Sequence, residues 1–145
     1  GQFSPVLADA MVTPSLVPRS QSPQGLRRMF RVESLTSAGV PVIAVHGPLD
    51  YASVRHLEEA VMQLMADSSN SDVLIDLTHT NMVDSAGLGT LVKAHKACVD
   101  RGGILKISGV NDKIAKLLGV THLTGLFGIY DNLESGVASF PQARV

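Results

Sequence analysis

Hydrophobic and polar positions follow two different periods from residue 29 onward, and these periods predict strands and helices in turn. Residues 30–35 largely alternate between apolar and polar, as in a half-buried strand, and residues 40–45 form a second, more apolar strand. The turn-forming residues at 36–39 predict that these two strands make a hairpin. Three further short apolar runs predict the remaining strands, at 73–77, 104–108 and 127–130.

Apolar residues spaced three or four positions apart predict the helices that lie between the strands. The first stripe comprises Val54, Leu57, Val61, Leu64 and Met65, and the second comprises Leu88, Leu91, Val92, His95, Cys98 and Val99. With two shorter helices nearer the end of the chain, we expect helices near 51–67, 86–101, 111–118 and 132–139.

The order of these elements predicts the fold class. Asp50 and Asn111 are the expected N-caps of the first and third helices, and Gly119 is the expected end of the third. Because strands alternate with helices, the predicted class is α/β. We expect a mixed, mainly parallel sheet of about four or five strands, which begins with a β-hairpin and has helices packed on it.

The first 28 residues differ from the rest of the chain. They hold four of the seven prolines, at Pro5, Pro14, Pro18 and Pro23. Proline restricts its own backbone and that of the preceding residue, so we expect a flexible tail at 1–28 and a folded domain at 29–145. The opening Gly1 and the protease-site-like residues 16–20 leave two origins open, a native tail or one that is partly an expression remnant.

Composition narrows the functional class. Lysine and arginine total 12 and aspartate and glutamate total 13, so the net charge of −1 lacks the positive excess that a nucleic-acid backbone attracts. No apolar run approaches the ~20 residues that cross a bilayer, and no basic stretch precedes an apolar one as in a signal peptide. The single cysteine favours a reducing compartment, and we expect a cytoplasmic protein.

Motifs for catalysis and cofactor binding are missing from the sequence. The five histidines form no His-Glu-x-x-His pair, and Cys98 lies on an apolar stripe, which favours a buried and inert thiol. There is no Gly-x-Ser-x-Gly elbow, no Gly-x-x-x-x-Gly-Lys loop and no acidic cluster like that of a receiver domain. We therefore expect no metal, no cofactor and no catalysis.

The segment from Asn81 to Leu91 is the most informative part of the chain. It follows the predicted central strand and opens the second helix, which is where sites of open α/β sheets lie. Ser85, at or near the helix N-cap, is either a helix cap or an acceptor for a phosphoryl group, which a helix N-terminus tolerates and neighbouring Asp84 opposes. Gly87 and Gly89 lower the helix propensity here, which indicates that something approaches this backbone closely.

Several of these segments resemble one known family. Residues 73–77 followed by Met-Val-Asp-Ser-Ala-Gly-Leu-Gly at 82–89 resemble the signature of STAS domains, and most closely that of bacterial anti-sigma-factor antagonists. Residues 102–107, 113–118 and 126–130 resemble the next strand, helix and final strand of the family. The likeness covers about residues 29–140, and it implies the STAS fold.

The resemblance implies a protein-binding switch. In the family, the serine directly after the aspartate is the phosphoacceptor, which is Ser85 here, and an anti-sigma-factor kinase phosphorylates it with ATP. The unmodified family member binds the anti-sigma factor and frees the sigma factor, phosphorylation releases it, and a phosphatase resets the switch. The residues expected to bind the partner are Asp50, Tyr51, Met82, Asp84, Ser85, Ala86, Gly87 and Gly89.

Two departures and two alternatives accompany the resemblance. Pro48 stands where the family often has glutamate, and the proline-rich tail has no counterpart in the family core. The alternatives are a STAS subunit of a membrane transporter assembly, which binds a transport ATPase, and a component of a stressosome-like scaffold.

Overall fold

A computed structural model describes residues 30–67 and 71–141. Nine elements follow one another there: β1 (Arg31–Ser37), β2 (Val40–His46), α1 (Val54–Asp67), β3 (Val73–His79), α2 (Ser85–Asp100), β4 (Leu105–Ser108), α3 (Asp112–Val120), β5 (Gly128–Tyr130) and α4 (Leu133–Ala138). The predicted tail at 1–28 lies outside the described residues, so its expected flexibility stays a prediction.

The five strands form one sheet in the order β1-β2-β3-β4-β5. β1 pairs with β2 in antiparallel fashion, and the other three pairings are parallel. This confirms the predicted mixed, mainly parallel sheet opened by a hairpin. Because β2 to β5 run in the same direction, their carboxyl ends share one edge of the sheet, which is where an open α/β sheet places its site.

Hydrophobic packing differs between the two faces of the sheet. On one face, α1, α2 and α3 bury a large core with inward residues such as Ile43, Ile75 and Ile107. On the other face, α4 and Phe140 cover a smaller cluster that contains Val42 and Leu74. Both faces of β3 are therefore covered, which explains why its first five residues read as a continuous apolar run apart from Asp76.

Two helix boundaries differ from the sequence prediction by more than one residue. α1 begins at Val54 and not near residue 51, because the Asp50 carboxylate accepts from the backbone amides of Ala52 (3.1 Å) and Ser53 (3.2 Å) and so stabilises a separate turn before the helix. α3 continues past Gly119 to Val120. The chain takes its positive φ of 61° at His122 and not at Gly119, so the helix ends later than the glycine suggests.

The Cys98 thiol lies in the large core with no exposed surface. Its burial, and next the negative charge of Asp72, raise the pKa of the thiol to about 11. A thiol with this pKa is protonated at neutral pH and is a poor nucleophile, as the apolar stripe predicts.

Candidate functional site

Two loops meet at the carboxyl edge of the sheet. The first site loop (residues 47–53) follows β2, and the second site loop (residues 80–84) follows β3. They join through an isolated parallel bridge between Leu49 and Val83. The amide of Leu49 donates to the carbonyl of Met82 at 2.9 Å, and the amide of Asp84 donates to the carbonyl of Leu49 at 3.2 Å. The two loops are thus held together by backbone pairing, as an extension of the sheet.

The Asp84 side chain links both loops to α2. Its Oδ1 accepts from the amide of Gly87 at 2.8 Å, and its Oδ2 accepts from the amide of Tyr51 at 3.1 Å. With extended backbone at φ −97° and ψ −172°, Asp84 is the N-cap of α2. One carboxylate therefore satisfies a donor of the helix end and fixes the position of Tyr51, which lies 33 residues away in sequence.

Ser85 is the first residue of α2. The interpretation of this serine as a helix cap is wrong, because the longer Asp84 carboxylate takes that place. Ser85 is exposed, and among residues 30–67 and 71–141 its hydroxyl makes no hydrogen bond. The amides of Ser85 and Ala86 are the first two of the helix and have no acceptor in this described part of the chain. The site thus presents a free hydroxyl beside two free N–H groups and the positive end of the helix dipole.

Each of the two site loops that meet at the start of α2 carries one exposed large side chain. Tyr51 of the first site loop is 80% exposed, and Met82 of the second is 37% exposed. Large apolar side chains that stay in solvent on two joined loops favour contact with another protein. Ala86 is half-buried and adds little bulk, so a partner can reach the start of the helix.

The glycines of α2 have different explanations. Gly87 is buried, and a Cβ there would collide with the carbonyl oxygen of Leu49 and lie 2.8 Å from Cγ1 of Val83. The close approach that the sequence indicates at Gly87 therefore comes from the chain's own first site loop. This corrects the expectation that Gly87 contacts a partner protein. Gly89 is exposed, and a Cβ there would meet nothing within 4 Å, so no internal contact requires it.

The structure brings the other predicted partner-binding residues to one edge of the molecule. Asp50 orders the turn that presents Tyr51, while Asp84 and Ser85 open α2 beside Met82. Sequence reasoning missed Leu49, which is fully buried and whose carbonyl joins the two loops. The signal that could have found it is a single leucine among turn residues, in Gly47-Pro48-Leu49-Asp50, because a lone apolar residue in a turn often anchors the loop in the core.

Metal and membrane chemistry find no support in the parts of the chain that the structure describes. No group of three or more histidine, cysteine or acidic residues there is placed to hold a metal ion. The rings of His46 and His79 stack with their centroids 4.8 Å apart, and Glu33 Oε1 lies 3.3 Å from Nε2 of His46. None of the described helices is long and apolar enough to span a bilayer.

Known proteins share this fold and sequence pattern. The family model of the STAS domain matches residues 31–136, well over half of the chain. The anti-sigma-B factor antagonist of Staphylococcus aureus (strain NCTC 8325 / PS 47) is 31% identical over 105 residues, which are 72% of this chain and 96% of that protein.

Solved structures agree with this fold. An anti-sigma factor antagonist from Mycobacterium paratuberculosis matches with a TM-score of 0.68 and 23% identity, over 76% of this chain and 92% of that one. The Bacillus cell fate determinant SpoIIAA in its phosphorylated form matches with a TM-score of 0.59 and 16% identity, over 75% and 96%. The chain therefore belongs to the STAS domain family, among the relatives of anti-sigma factor antagonists.

Proposed function

We propose that this protein is an anti-sigma-factor antagonist that reversible phosphorylation of Ser85 switches off. In its unmodified form it binds an anti-sigma factor, which is also its serine kinase, and so frees a sigma factor. A phosphatase returns the modified protein to its binding form. The observation that carries the proposal is the position of Ser85, which is exposed at the first residue of α2, with a hydroxyl that makes no hydrogen bond among the described residues.

The local chemistry supports phosphoryl transfer to this serine. The kinase would transfer the γ-phosphoryl group of ATP to Ser85 Oγ, with loss of the hydroxyl proton and departure of ADP. The new phosphate oxygens would have the amides of Ser85 and Ala86 as donors and the positive end of the α2 dipole beside them. Asp84 sets a limit, since its carboxylate adjoins the added charge of about −2.

The same charge explains how phosphorylation would end binding. The unmodified edge presents small and apolar groups, Met82 and Ala86, around a neutral hydroxyl. A dianion in a contact that excludes water, next to Asp84, loses hydration that the partner does not replace. A loss of only about 3 kcal/mol weakens binding more than a hundredfold. The Staphylococcus relative, an anti-sigma-B factor antagonist, supports the proposed role. The structure of SpoIIAA in its phosphorylated form supports the proposed modification.

Such a switch has no reaction of its own to catalyse. It acts without a cofactor, a membrane anchor or direct contact with nucleic acid, and we place it in the cytoplasm with its kinase and sigma factor. Pro48 is exposed in the first site loop, three residues before Tyr51, and it carries no charge where the family often has glutamate. We expect this residue to help select the cognate anti-sigma factor.

The test compares three proteins for phosphorylation and for binding to the purified cognate anti-sigma factor. Wild type gains the mass of one phosphoryl group, on a peptide that contains Ser85, and loses binding as it does so. Ser85→Ala gains no mass and binds as the unmodified wild type does. Its fold stays intact, because the hydroxyl makes no hydrogen bond among the described residues.

Ser85→Asp separates charge from shape. A carboxylate suits the first turn of a helix, so the melting temperature stays within a few degrees of that of wild type. Binding to the anti-sigma factor weakens, though by less than with phosphate, since Asp adds one charge and phosphate adds about two. If Ser85→Ala and Ser85→Asp both bind as tightly as wild type, the phosphorylation switch is wrong, and co-purification with a transport ATPase becomes the next experiment.

A further inference from the structure

A groove opens beside the second site loop, on the side of α3. It has a volume of about 360 Å³ and is lined by Val83, Lys113, Ile114, Lys116, Leu117 and Val120. The buried Val83 and Ile114 form its floor, and Val120 leaves 65% of its surface in solvent. A lone exposed valine needs no explanation, but one that continues an apolar groove lined by two lysines indicates a contact surface.

The groove is fixed in place relative to the site. The side-chain amide of Asn111 donates to the carbonyl of Asn81 at 3.2 Å, and its carbonyl oxygen accepts from the amide of Ile114 at 2.8 Å. This one side chain caps α3 and holds it against the second site loop. Val83, in the groove floor, lies two residues before Ser85, so the groove continues the surface proposed to bind the partner.

The charges around the groove favour one kind of occupant. Lys113 and Lys116 lie exposed on α3 at an apolar surface, which complements a segment that is apolar on one side and acidic on its flanks. The chain's own residues 1–29 are a poor match, since they carry Arg19, Arg27 and Arg28 against Asp9 alone. A second copy packed symmetrically would place lysines opposite lysines.

We propose that this groove docks an acidic amphipathic helix of a partner protein. The helix lays apolar side chains at positions i, i+3, i+4 and i+7 over Val83, Leu117 and Val120, and its carboxylates pair with Lys113 and Lys116. The identity of the partner rests on the proposed function, under which the helix belongs to the anti-sigma factor. The groove then supplies affinity that phosphorylation of Ser85 does not itself remove.

The first experiment needs no cognate partner. Two synthetic helical peptides carry leucine at i, i+3, i+4 and i+7, one with glutamates on the flanks and the other with lysines in their place. Each is titrated into the ¹⁵N-labelled protein. The glutamate peptide shifts the amide resonances of Val83 and of residues 113–120, and it binds more weakly as salt is raised. The lysine peptide binds at least about tenfold more weakly.

The second experiment uses matched variants against the same glutamate peptide and against the cognate anti-sigma factor. The double variant Lys113→Glu/Lys116→Glu weakens both interactions by about tenfold or more, whereas Lys96→Glu, an exposed lysine of α2 away from the groove, leaves them unchanged. Val120→Ser weakens them, while Val99→Ser, at a valine that is 51% exposed on α2, does not.

Each outcome decides between the proposals. The groove is overturned if the glutamate peptide does not bind, if the lysine peptide binds equally well, or if the shifts map elsewhere. It is also overturned if the double lysine variant holds the anti-sigma factor as tightly as Lys96→Glu does. If the peptide occupies the groove while wild type does not bind the anti-sigma factor, the groove stands and the proposed function fails.

Discussion

Asp84 decides where α2 begins and how the two site loops are held. Its two carboxylate oxygens serve two donors, the Gly87 amide at 2.8 Å and the Tyr51 amide at 3.1 Å. Because a carboxylate has two acceptor oxygens that point in different directions, Asp84 can accept from two separate N–H groups, whereas serine and asparagine have one side-chain oxygen each. At the scale of single residues, the site is organised by Asp84 and modified, we propose, at its neighbour Ser85.

Asp84→Ala leaves both amides without their acceptor. We expect the free energy of unfolding to fall by about 2 kcal/mol, which combines a lost N-cap with a lost loop contact. Asp84→Asn keeps the cap but turns its side-chain amide NH₂ group toward the Tyr51 amide. We expect its free energy of unfolding to lie between those of wild type and Asp84→Ala. Urea denaturation of all three proteins measures this. Asp131→Ala, at an exposed carboxylate, is the control and stays within about 0.5 kcal/mol of wild type. An Asp84→Ala protein as stable as the control contradicts the dual role.

Cys98 gives a prediction about pH. The folded protein holds the pKa of the thiol at about 11, above the reference value of 9.0, so the unfolded chain loses this proton first as pH rises. The contribution of the thiol to stability is complete below about pH 9 and declines between about pH 9 and 11. Cys98→Ala, which has no thiol, should lack this part of the alkaline decline in urea midpoint. Identical pH profiles for the two proteins would contradict it.

At the scale of elements, α2 carries the site because two other elements shape its first turn. The second site loop supplies its cap, and the carbonyl of Leu49 in the first site loop lies where a side chain at residue 87 would be. The two glycines near the start of α2 therefore differ in what they permit. Gly87 lets the first loop pack against the helix, while Gly89 faces open space.

Replacing each glycine by alanine tests this difference. Gly87→Ala forces the first site loop away from α2, and we expect a loss of about 3 kcal/mol or more in the free energy of unfolding. Gly89→Ala has room for its methyl group and gains about 0.5–1 kcal/mol from better helix propensity. Thermal and urea unfolding should show changes in stability of opposite sign for the two variants, relative to wild type. Two variants with equal stability would show that the Leu49 contact does not constrain the helix.

The elements themselves were predictable from local pattern. The order of strands and helices followed from apolar spacing, because each face of the sheet needs its own buried set. Contacts between distant residues were not predictable. The Leu49 carbonyl against Gly87 and the Tyr51 amide on Asp84 depend on how the sheet brings β2 and β3 together, and no local pattern encodes that. The one-residue error at Ser85 has a different, local origin, because the adjacent aspartate and serine are both good N-caps.

At the scale of the whole molecule, the sheet assembles the site and α3 extends it. We predict that residues 1–25 can be deleted without loss of the fold, because their four prolines and lack of periodicity disfavour regular structure. The truncated protein should unfold cooperatively, with a melting temperature within a few degrees of that of the full chain. Loss of a cooperative transition would show that the tail completes the core.

The bridge between Leu49 and Val83 has a consequence for what a kinase can recognise. It joins the loops that follow β2 and β3, and these loops meet only when the two strands have paired, so the surroundings of Ser85 do not exist in an unfolded chain. A short peptide of residues 80–91 has the serine but lacks Tyr51 and the contact that positions it. A kinase that reads this surface would ignore such a peptide and any misfolded copy, so every molecule that it modifies would be one that had already folded.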